Sequence, residues 1–151
     1  MRGRFLNSVA VMENRMARIL TDYFCTADPE KRELFFNEVA TSHFLSLRNK
    51  KGVLMSIIKK DYPRFLEENR EALNALDEIA QFRNQLAHST IDVSESALKR
   101  PIEEGIGFIG WKAGKPLTEL EFQSWEVKAN MIHSCLSTLA SILPFKDVAN
   151  K

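Results

Sequence analysis

Three polar residues near the middle of the chain, Arg83, Asn84 and His88, have side chains suited to proton transfer at a phosphate. Imidazole, with an ordinary pKa of about 6.5, exchanges protons near neutral pH. The planar guanidinium of arginine can bind two phosphate oxygens, and the asparagine amide could orient the histidine or the phosphate. Cleaving RNA without a metal requires a base, an acid and positive charge beside the phosphorane. His88 of one copy can act only as the base or as the acid, and a second copy of the chain would supply a second motif histidine for the other role.

The same three positions also have a structural explanation. Arg83 could bond carbonyl oxygens at a helix C-terminus or hold a dimer interface, while His88 and Ser89 cap the helix end. At the level of sequence, both explanations stay open.

The motif closes a strongly helical stretch, which the apolar spacing predicts over about residues 64–89. At about 100° per residue, Arg83 falls in the middle of an apolar stripe. That stripe contains Leu76, Ile79, Ala80, Leu86 and Ala87. A polar seam runs beside it and contains Asp77, Gln81, Asn84 and His88. Arg83 and His88 are roughly 140° apart, so within one copy they flank Asn84 instead of stacking.

The string Arg83-Asn84-Gln85-Leu86-Ala87-His88 resembles the motif of HEPN domains, a helical family found in many prokaryotic toxins and defence proteins. The order of elements is also similar, because amphipathic helices precede the motif and a variable connection and a closing helix follow it. The resemblance covers most of the chain. It implies an up-and-down helical bundle, often a homodimer, in which the motif helices of two copies lie near each other. In catalytically active relatives this arrangement forms a metal-independent ribonuclease site, to which Arg83, Asn84 and His88 correspond.

The resemblance also implies a second function. Some relatives, including proteins similar to the mannitol operon repressor, keep a similar string in a regulatory setting, as a non-catalytic regulatory or scaffolding module. The partners to expect are therefore a second copy, RNA, and a cognate antitoxin or regulatory protein. A ribonuclease should present the motif to an open, positively charged cleft. An interaction module should bury the motif and expose apolar surface.

Length and composition predict one soluble globular domain over residues 1–151, with 44% hydrophobic and 27% charged residues. A formal net charge of +1 predicts that any contact with nucleic acid is local. No apolar stretch is long enough to span a membrane, and charges interrupt any signal peptide, so a cytoplasmic location is expected.

No metal or cofactor is predicted from the cysteines, histidines or glycines. Cys25 and Cys135 have no C-x-x-C spacing, which predicts free thiols. His133 and Cys135 point to different faces of a helix, and nothing nearby completes a ligand set. The glycines after residue 104 lack the Lys-Ser/Thr of a phosphate loop.

Apolar spacing predicts a first helix over about residues 4–25. Asp28-Pro29-Glu30 predicts the start of a second, shorter helix, whose apolar side would contain Leu34, Phe35, Phe36 and Val39. A third helix is expected from about Ser46 to Lys60. Its surroundings are the most basic part of the chain, either a solvated face or a patch that holds RNA phosphates. The basic residues are Arg48, Lys50, Lys51, Lys59, Lys60 and Arg64.

After the motif, residues 90–101 are predicted to be a loop. Ile106 to Leu117 predicts a short β-hairpin, because β-branched and aromatic residues precede a glycine-containing turn. Thr118 and Glu121 form the pattern of a capping box, which starts a last helix that runs to about Ile142. The predicted fold is therefore mainly α, an up-and-down helical bundle with a small β-hairpin before the last helix.

Overall fold

The computed structural model describes residues 2–25, 28–43, 45–101, 104–109 and 115–143. Across these residues the chain forms α1 (Arg2–Phe24), α2 (Pro29–Leu34), α3 (Leu47–Asp61), α4 (Pro63–Glu68), α5 (Arg70–His88), α6 (Glu95–Leu98) and α7 (Glu119–Ile142). A π-helical segment, Phe35–Ala40, continues α2. Two short strands, β1 (Thr90–Ile91) and β2 (Phe108–Ile109), pair antiparallel before α7. The predicted mainly α fold with a small β-hairpin is confirmed.

Helix α1 lies at the centre of the bundle and packs against α3, α5, α7 and the π-helical segment. Arg4 near its start pairs with Glu126, with 2.6 Å between guanidinium and carboxylate. Arg15, about three turns later, donates a hydrogen bond to Ser137. The later residue of α1 contacts the later residue of α7. The two helices therefore run in the same direction.

Helix α5 runs in the opposite direction. The ring of Phe82, near its end, stacks on Trp125 near the start of α7, with centroids 4.3 Å apart. Glu78, one turn earlier in α5, pairs with Lys128, which lies later in α7. The two helices are therefore antiparallel, as an up-and-down bundle requires.

The predicted helix starts are confirmed by their caps. The Asp28 carboxylate accepts hydrogen bonds from the backbone of Glu30 (3.1 Å) and Lys31 (3.2 Å). At α7 both halves of the capping box are formed: Glu121 N donates to the Thr118 hydroxyl over 3.2 Å, and Thr118 N donates to the Glu121 carboxylate over 3.1 Å. Local sequence therefore sets where these helices begin.

The single long helix predicted over residues 64–89 is wrong in one respect, because the chain breaks at Asn69 and forms α4 and α5. Asn69 leaves the helical region, with φ −119° and ψ 19°. Its side-chain amide donates to the Phe65 carbonyl oxygen over 3.0 Å. An asparagine side chain that competes for backbone groups in this way interrupts a helix.

The predicted loop over residues 90–101 is also more ordered than expected, since it contains β1 and α6. Asp92 N donates to the Gly107 carbonyl oxygen over 2.9 Å, beside the paired strands. Ser94 caps α6 through a 3.3 Å bond from Ala97 N. Two-residue strands and one-turn helices are too short for a recognisable period in the sequence.

The predicted hairpin brings its two ends together, since Ile106 and Leu117 exchange backbone hydrogen bonds of 3.0 and 2.8 Å. Gly105 precedes this bridge with a φ of 92°, which favours glycine. A Cβ there would lie 2.7 Å from the Leu117 carbonyl carbon. Residues 110–114, in the predicted turn, lie outside the described residues.

Within the described part of the chain, no helix combines the length and the apolar character needed to cross a membrane.

Candidate functional site

The motif lies on the last turns of α5, where the predicted apolar stripe packs into the bundle. Leu76, Ile79 and Leu86 are buried in the main core. Arg83 lies on the same side of the helix, close to the C-terminal end of α5, and is half-buried. Asn84 and His88 are exposed on the neighbouring polar seam. The motif is therefore accessible to solvent.

The structure brings two of the three predicted residues into contact. Arg83 Nη1 donates a hydrogen bond to Asn84 Oδ1 over 2.9 Å. The guanidinium is thereby directed sideways, from the half-buried stripe towards the exposed seam. The His88 side chain makes no hydrogen bond or ion pair with any other residue in the described ranges. Within one copy, Arg83 and Asn84 are therefore hydrogen-bonded to each other, and His88 is bonded to neither of them in the described ranges.

Residues other than Arg83 cap the C-terminal end of α5. Arg2 Nη2, from the start of α1, donates to the Ala87 carbonyl oxygen over 2.9 Å. Ser89 follows α5, and both its backbone N–H and its hydroxyl donate to the Gln85 carbonyl oxygen. Ser89 therefore caps the helix, as the structural explanation of the motif expected, whereas the His88 side chain makes no capping bond within the described ranges. Arg2 is a capping residue that the sequence did not indicate, because its partner lies 85 positions away.

An open groove between α3 and α5 borders the motif and has a volume of about 440 Å³. Three apolar side chains line it, those of Leu47, Leu76 and Ala80. The polar residues that line it are Arg48, Lys51, Asp77, Gln81 and Asn84. Three of these, Asp77, Gln81 and Asn84, are members of the predicted polar seam, so the seam forms one wall of the groove.

The basic stretch around α3 is not a continuous patch. Lys50 is only 2% exposed, and its ammonium lies 2.8 Å from the Glu13 carboxylate. Lys51 forms an ion pair with Asp77 at the groove. Arg64 pairs with Glu68 over 2.8 Å on the surface of α4. Half of the predicted basic residues are therefore already paired with carboxylates.

The groove nevertheless keeps one cation for an external anion. Arg48 is exposed and has no ion-pair partner among the residues that the structure describes. Lys59 and Lys60 are exposed too, but they lie at the far end of α3 and do not line the groove. The positive charge near the motif therefore comes from Arg48, Arg83 and Arg2, of which Arg2 is hydrogen-bonded to the Ala87 carbonyl oxygen.

A second polar cluster joins α1 to α7 and was not indicated by the sequence. The Ser8 hydroxyl lies 3.0 Å from His133 Nε2, and Arg15 donates to the His133 carbonyl oxygen over 3.2 Å. Burial lowers the pKa of His133, and the charge of Arg15 lowers it further. The imidazole is therefore neutral near pH 7, where it serves as a hydrogen-bonding link between helices. The partners lie 125 positions apart, so no local signal could have paired them.

The cysteines are free thiols, as predicted. Cys135 is buried in the core, and burial raises the pKa of its thiol to about 11, so it is protonated at neutral pH. Over the described ranges, no group of three or more His, Cys, Asp or Glu residues could hold a metal ion.

The fold and the site define a helical bundle that exposes an Arg-Asn-x-x-Ala-His motif at the end of a helix, beside a polar groove. Comparisons of the chain with protein-family models, with curated proteins and with solved structures found no match. The HEPN resemblance therefore depends on the motif and on the order of the helices.

Proposed function

We propose that the protein is a metal-independent ribonuclease of toxin or defence type, which cleaves RNA at a site formed by the motifs of two copies. Arg83, Asn84 and His88 are its site residues. The observation that carries the proposal is the exposure of the motif: Asn84 and His88 are open to solvent, and Arg83 is directed towards them by its hydrogen bond to Asn84. The adjoining groove contains Arg48, whose charge suits a phosphate.

The residue types support the following reaction. His88 of one copy takes the proton of a ribose 2′-OH, and the 2′-oxygen attacks the adjacent phosphorus. The bond from phosphorus to the 5′-oxygen breaks, and His88 of the partner subunit protonates that oxygen. The products are a 2′,3′-cyclic phosphate and a free 5′-OH. Arg83 binds the non-bridging oxygens and stabilises the negative charge on the phosphorane.

The need for two copies follows from the geometry of one. Arg83 and His88 are roughly 140° apart around α5, and the Arg83 side chain is held by Asn84. His133 is engaged with Ser8 between α1 and α7 and is not a motif residue. A second proton donor for the reaction is therefore best supplied by the motif of another copy, in a homodimer.

Cleavage of varied single-stranded RNAs in EDTA, by wild type beside Arg83→Ala and His88→Ala, tests the proposal. We expect cleavage by wild type and a loss of at least about a hundredfold in each variant. General acid–base catalysis by His88 contributes roughly 10²–10⁴-fold, and removing a group that stabilises transition-state charge costs about 10²–10³-fold. Lys59→Ala is the matched control, because it removes an exposed cation of α3 that does not line the groove. A folded wild type that cleaves none of the RNAs would contradict the proposal.

A second candidate function is a non-catalytic regulatory or scaffolding module. Its support is a set of exposed apolar side chains in and near the strands, since Val93, Leu98 and Ile109 are 68%, 72% and 62% exposed. Exposed apolar side chains supply the contacts of protein-binding sites, which suits a cognate antitoxin or a regulatory protein. Absence of cleavage, combined with loss of partner binding in Leu98→Ser or Ile109→Ser, would favour this function.

A further inference from the structure

We infer that the groove between α3 and α5 binds one unpaired nucleotide of a single-stranded RNA, next to the phosphate that is cleaved. The inference depends on the proposed function for the position of that phosphate. It goes further because it names a binding subsite and a structural class of RNA.

The apolar residues of the groove suit the flat face of a base. Leu47 of α3 and Leu76 and Ala80 of α5 provide them. The volume of about 440 Å³ lies within the range of roughly 300–1,000 Å³ that is typical of small-ligand sites. A base in a duplex is held in the stack by its neighbours, whereas an unpaired base can turn outwards into such a groove. The shape therefore favours single-stranded RNA.

The polar wall of the groove suits the edge of a base. Gln81 lies four residues after Asp77, and Asn84 lies three residues after Gln81, so the three residues share one side of α5. Gln81 has no hydrogen-bond partner within the described ranges, so both its amide oxygen and its amide nitrogen are free. The Asn84 oxygen accepts from Arg83, which leaves its nitrogen as a donor. These groups can contact base edges, which an unpaired nucleotide exposes.

The charges of the groove suit the sugar–phosphate backbone. Lys51 and Asp77 form an ion pair across it, so together they add little net charge. Arg48 has no carboxylate partner in the described part of the chain. Its guanidinium can therefore bind a phosphate of the nucleotide in the groove. A single available cation is consistent with a local contact and with a net charge of only +1.

Asn84 connects the groove to the motif, because it lines the groove and also accepts the hydrogen bond of Arg83. His88 follows one turn later on the same seam, roughly 6 Å further along the helix axis. A nucleotide in the groove would therefore present its flanking phosphate to Arg83 and His88. The groove would select the nucleotide and the motif would act beside it.

Fluorescence anisotropy with a labelled RNA trinucleotide tests the inference, and 2′-fluoro sugars in the trinucleotide prevent its cleavage. We expect Arg48→Ala and Gln81→Leu each to weaken binding about tenfold, as expected for the loss of one hydrogen bond to a charged or polar group. Lys59→Ala, on the same helix as Arg48, should bind as wild type does. Equal affinities in all four proteins, or equal binding of a duplex that lacks unpaired bases, would overturn the inference.

A second measurement does not depend on the folding of variants. On titration of wild type with the same trinucleotide, we expect the backbone amide resonances of Gln81 and Asn84 to shift and that of Lys59 to stay in place. Shifts confined to other surfaces would overturn the inference.

The failures of the two proposals can be told apart. If wild type cleaves RNA and Arg48→Ala leaves trinucleotide binding unchanged, the subsite is wrong and the ribonuclease stands. If the trinucleotide binds in the groove and wild type cleaves no RNA, the ribonuclease is wrong and the groove remains a nucleotide-binding site.

Discussion

Arg83 and Asn84 are adjacent in sequence, and a 2.9 Å hydrogen bond from Arg83 Nη1 to Asn84 Oδ1 joins their side chains. The two residues are about 100° apart around α5, so the bond runs from the half-buried stripe to the exposed seam. A guanidinium held at a helix surface loses less freedom when it binds a phosphate. Asn84 is thus the residue that positions Arg83.

Asn84→Ala should therefore impair RNA cleavage without impairing folding. We expect kcat to fall about tenfold, because a misplaced arginine stabilises the transition state less well. The free energy of unfolding should change by less than about 0.5 kcal/mol, as for most exposed positions. Initial cleavage rates and urea denaturation measure the two effects. A large loss of stability with unchanged kcat would assign Asn84 a structural role instead.

The ion pair between buried Lys50 and half-buried Glu13 predicts that removing one partner costs more stability than replacing both. Glu13→Ala leaves the ammonium of Lys50, a residue that is 2% exposed, without its carboxylate partner. We expect a loss of about 3 kcal/mol in the free energy of unfolding, since an uncompensated buried charge is costly. In the double variant Glu13→Leu with Lys50→Met most of that loss should be recovered. Urea denaturation of the three proteins measures both effects.

The control for this pair is Arg64→Ala, which removes an exposed ion pair with Glu68. It should change stability by less than about 1 kcal/mol. If Glu13→Ala were equally mild, Lys50 would be reaching water, contrary to its burial.

Two glycines predict opposite effects of the same substitution. Gly105→Ala should destabilise the protein by about 1–3 kcal/mol, because φ is 92° and the added Cβ would lie 2.7 Å from the Leu117 carbonyl carbon. Gly52→Ala should stabilise it by roughly 0.5–1 kcal/mol, because Gly52 lies within α3 with open space around it. Thermal unfolding of both variants tests the pair. Equal effects in the two variants would contradict the conformation given to Gly105.

Much of the fold could be predicted because its signals are local. The spacing of apolar residues predicted α1, α3 and α7, and Asp28 and the Thr118–Glu121 pair predicted two helix starts that are confirmed. Leu34 and Val39 were expected to face inwards and are exposed. For Val39 the reason is the π-helical segment that starts at Phe35, which changes the angular period on which the expectation depended. Leu34 lies before that segment and is about 200° around the helix from buried Phe36.

The burial of Lys50 could have been predicted from its spacing in the sequence, but the basic residues around it pointed to an exposed position. It lies four residues before Leu54 and seven before Ile57, which is the spacing of the buried face of α3. Its neighbours Arg48 and Lys51 suggested an exposed basic stretch instead. Glu13, the carboxylate that makes its burial tolerable, lies 37 positions away. The groove likewise depends on how α3 packs against α5, which the motif alone does not specify.

Stability should depend on pH through His133. Burial, together with the charge of Arg15, lowers the pKa of this imidazole below its ordinary value, so the unfolded chain binds its proton more tightly than the folded protein does. This contribution to stability is fully present above about pH 6.5 and is lost as the pH falls towards the folded pKa. The urea midpoint of wild type should therefore decrease between pH 7.5 and 5.5.

In His133→Gln the amide can still bond Ser8 but does not titrate, so this variant should lose that part of the pH dependence. Ser8 and Arg15 of α1 are the groups that contact His133. An unchanged pH dependence in the variant would show that other groups cause the decrease.

A site built from two copies makes a prediction that a one-copy site does not. If each reaction uses His88 from both subunits, a dimer with one His88→Ala chain lacks either the base or the acid. When wild type is refolded with a ninefold excess of His88→Ala, only about one wild-type chain in ten pairs with another wild-type chain. Cleavage per wild-type copy should therefore fall about tenfold, and an inert carrier protein at the same excess should leave it unchanged. Activity that is unaffected by the variant would mean that one copy, with Arg83 and His88 on different sides of the same helix, carries out the whole reaction.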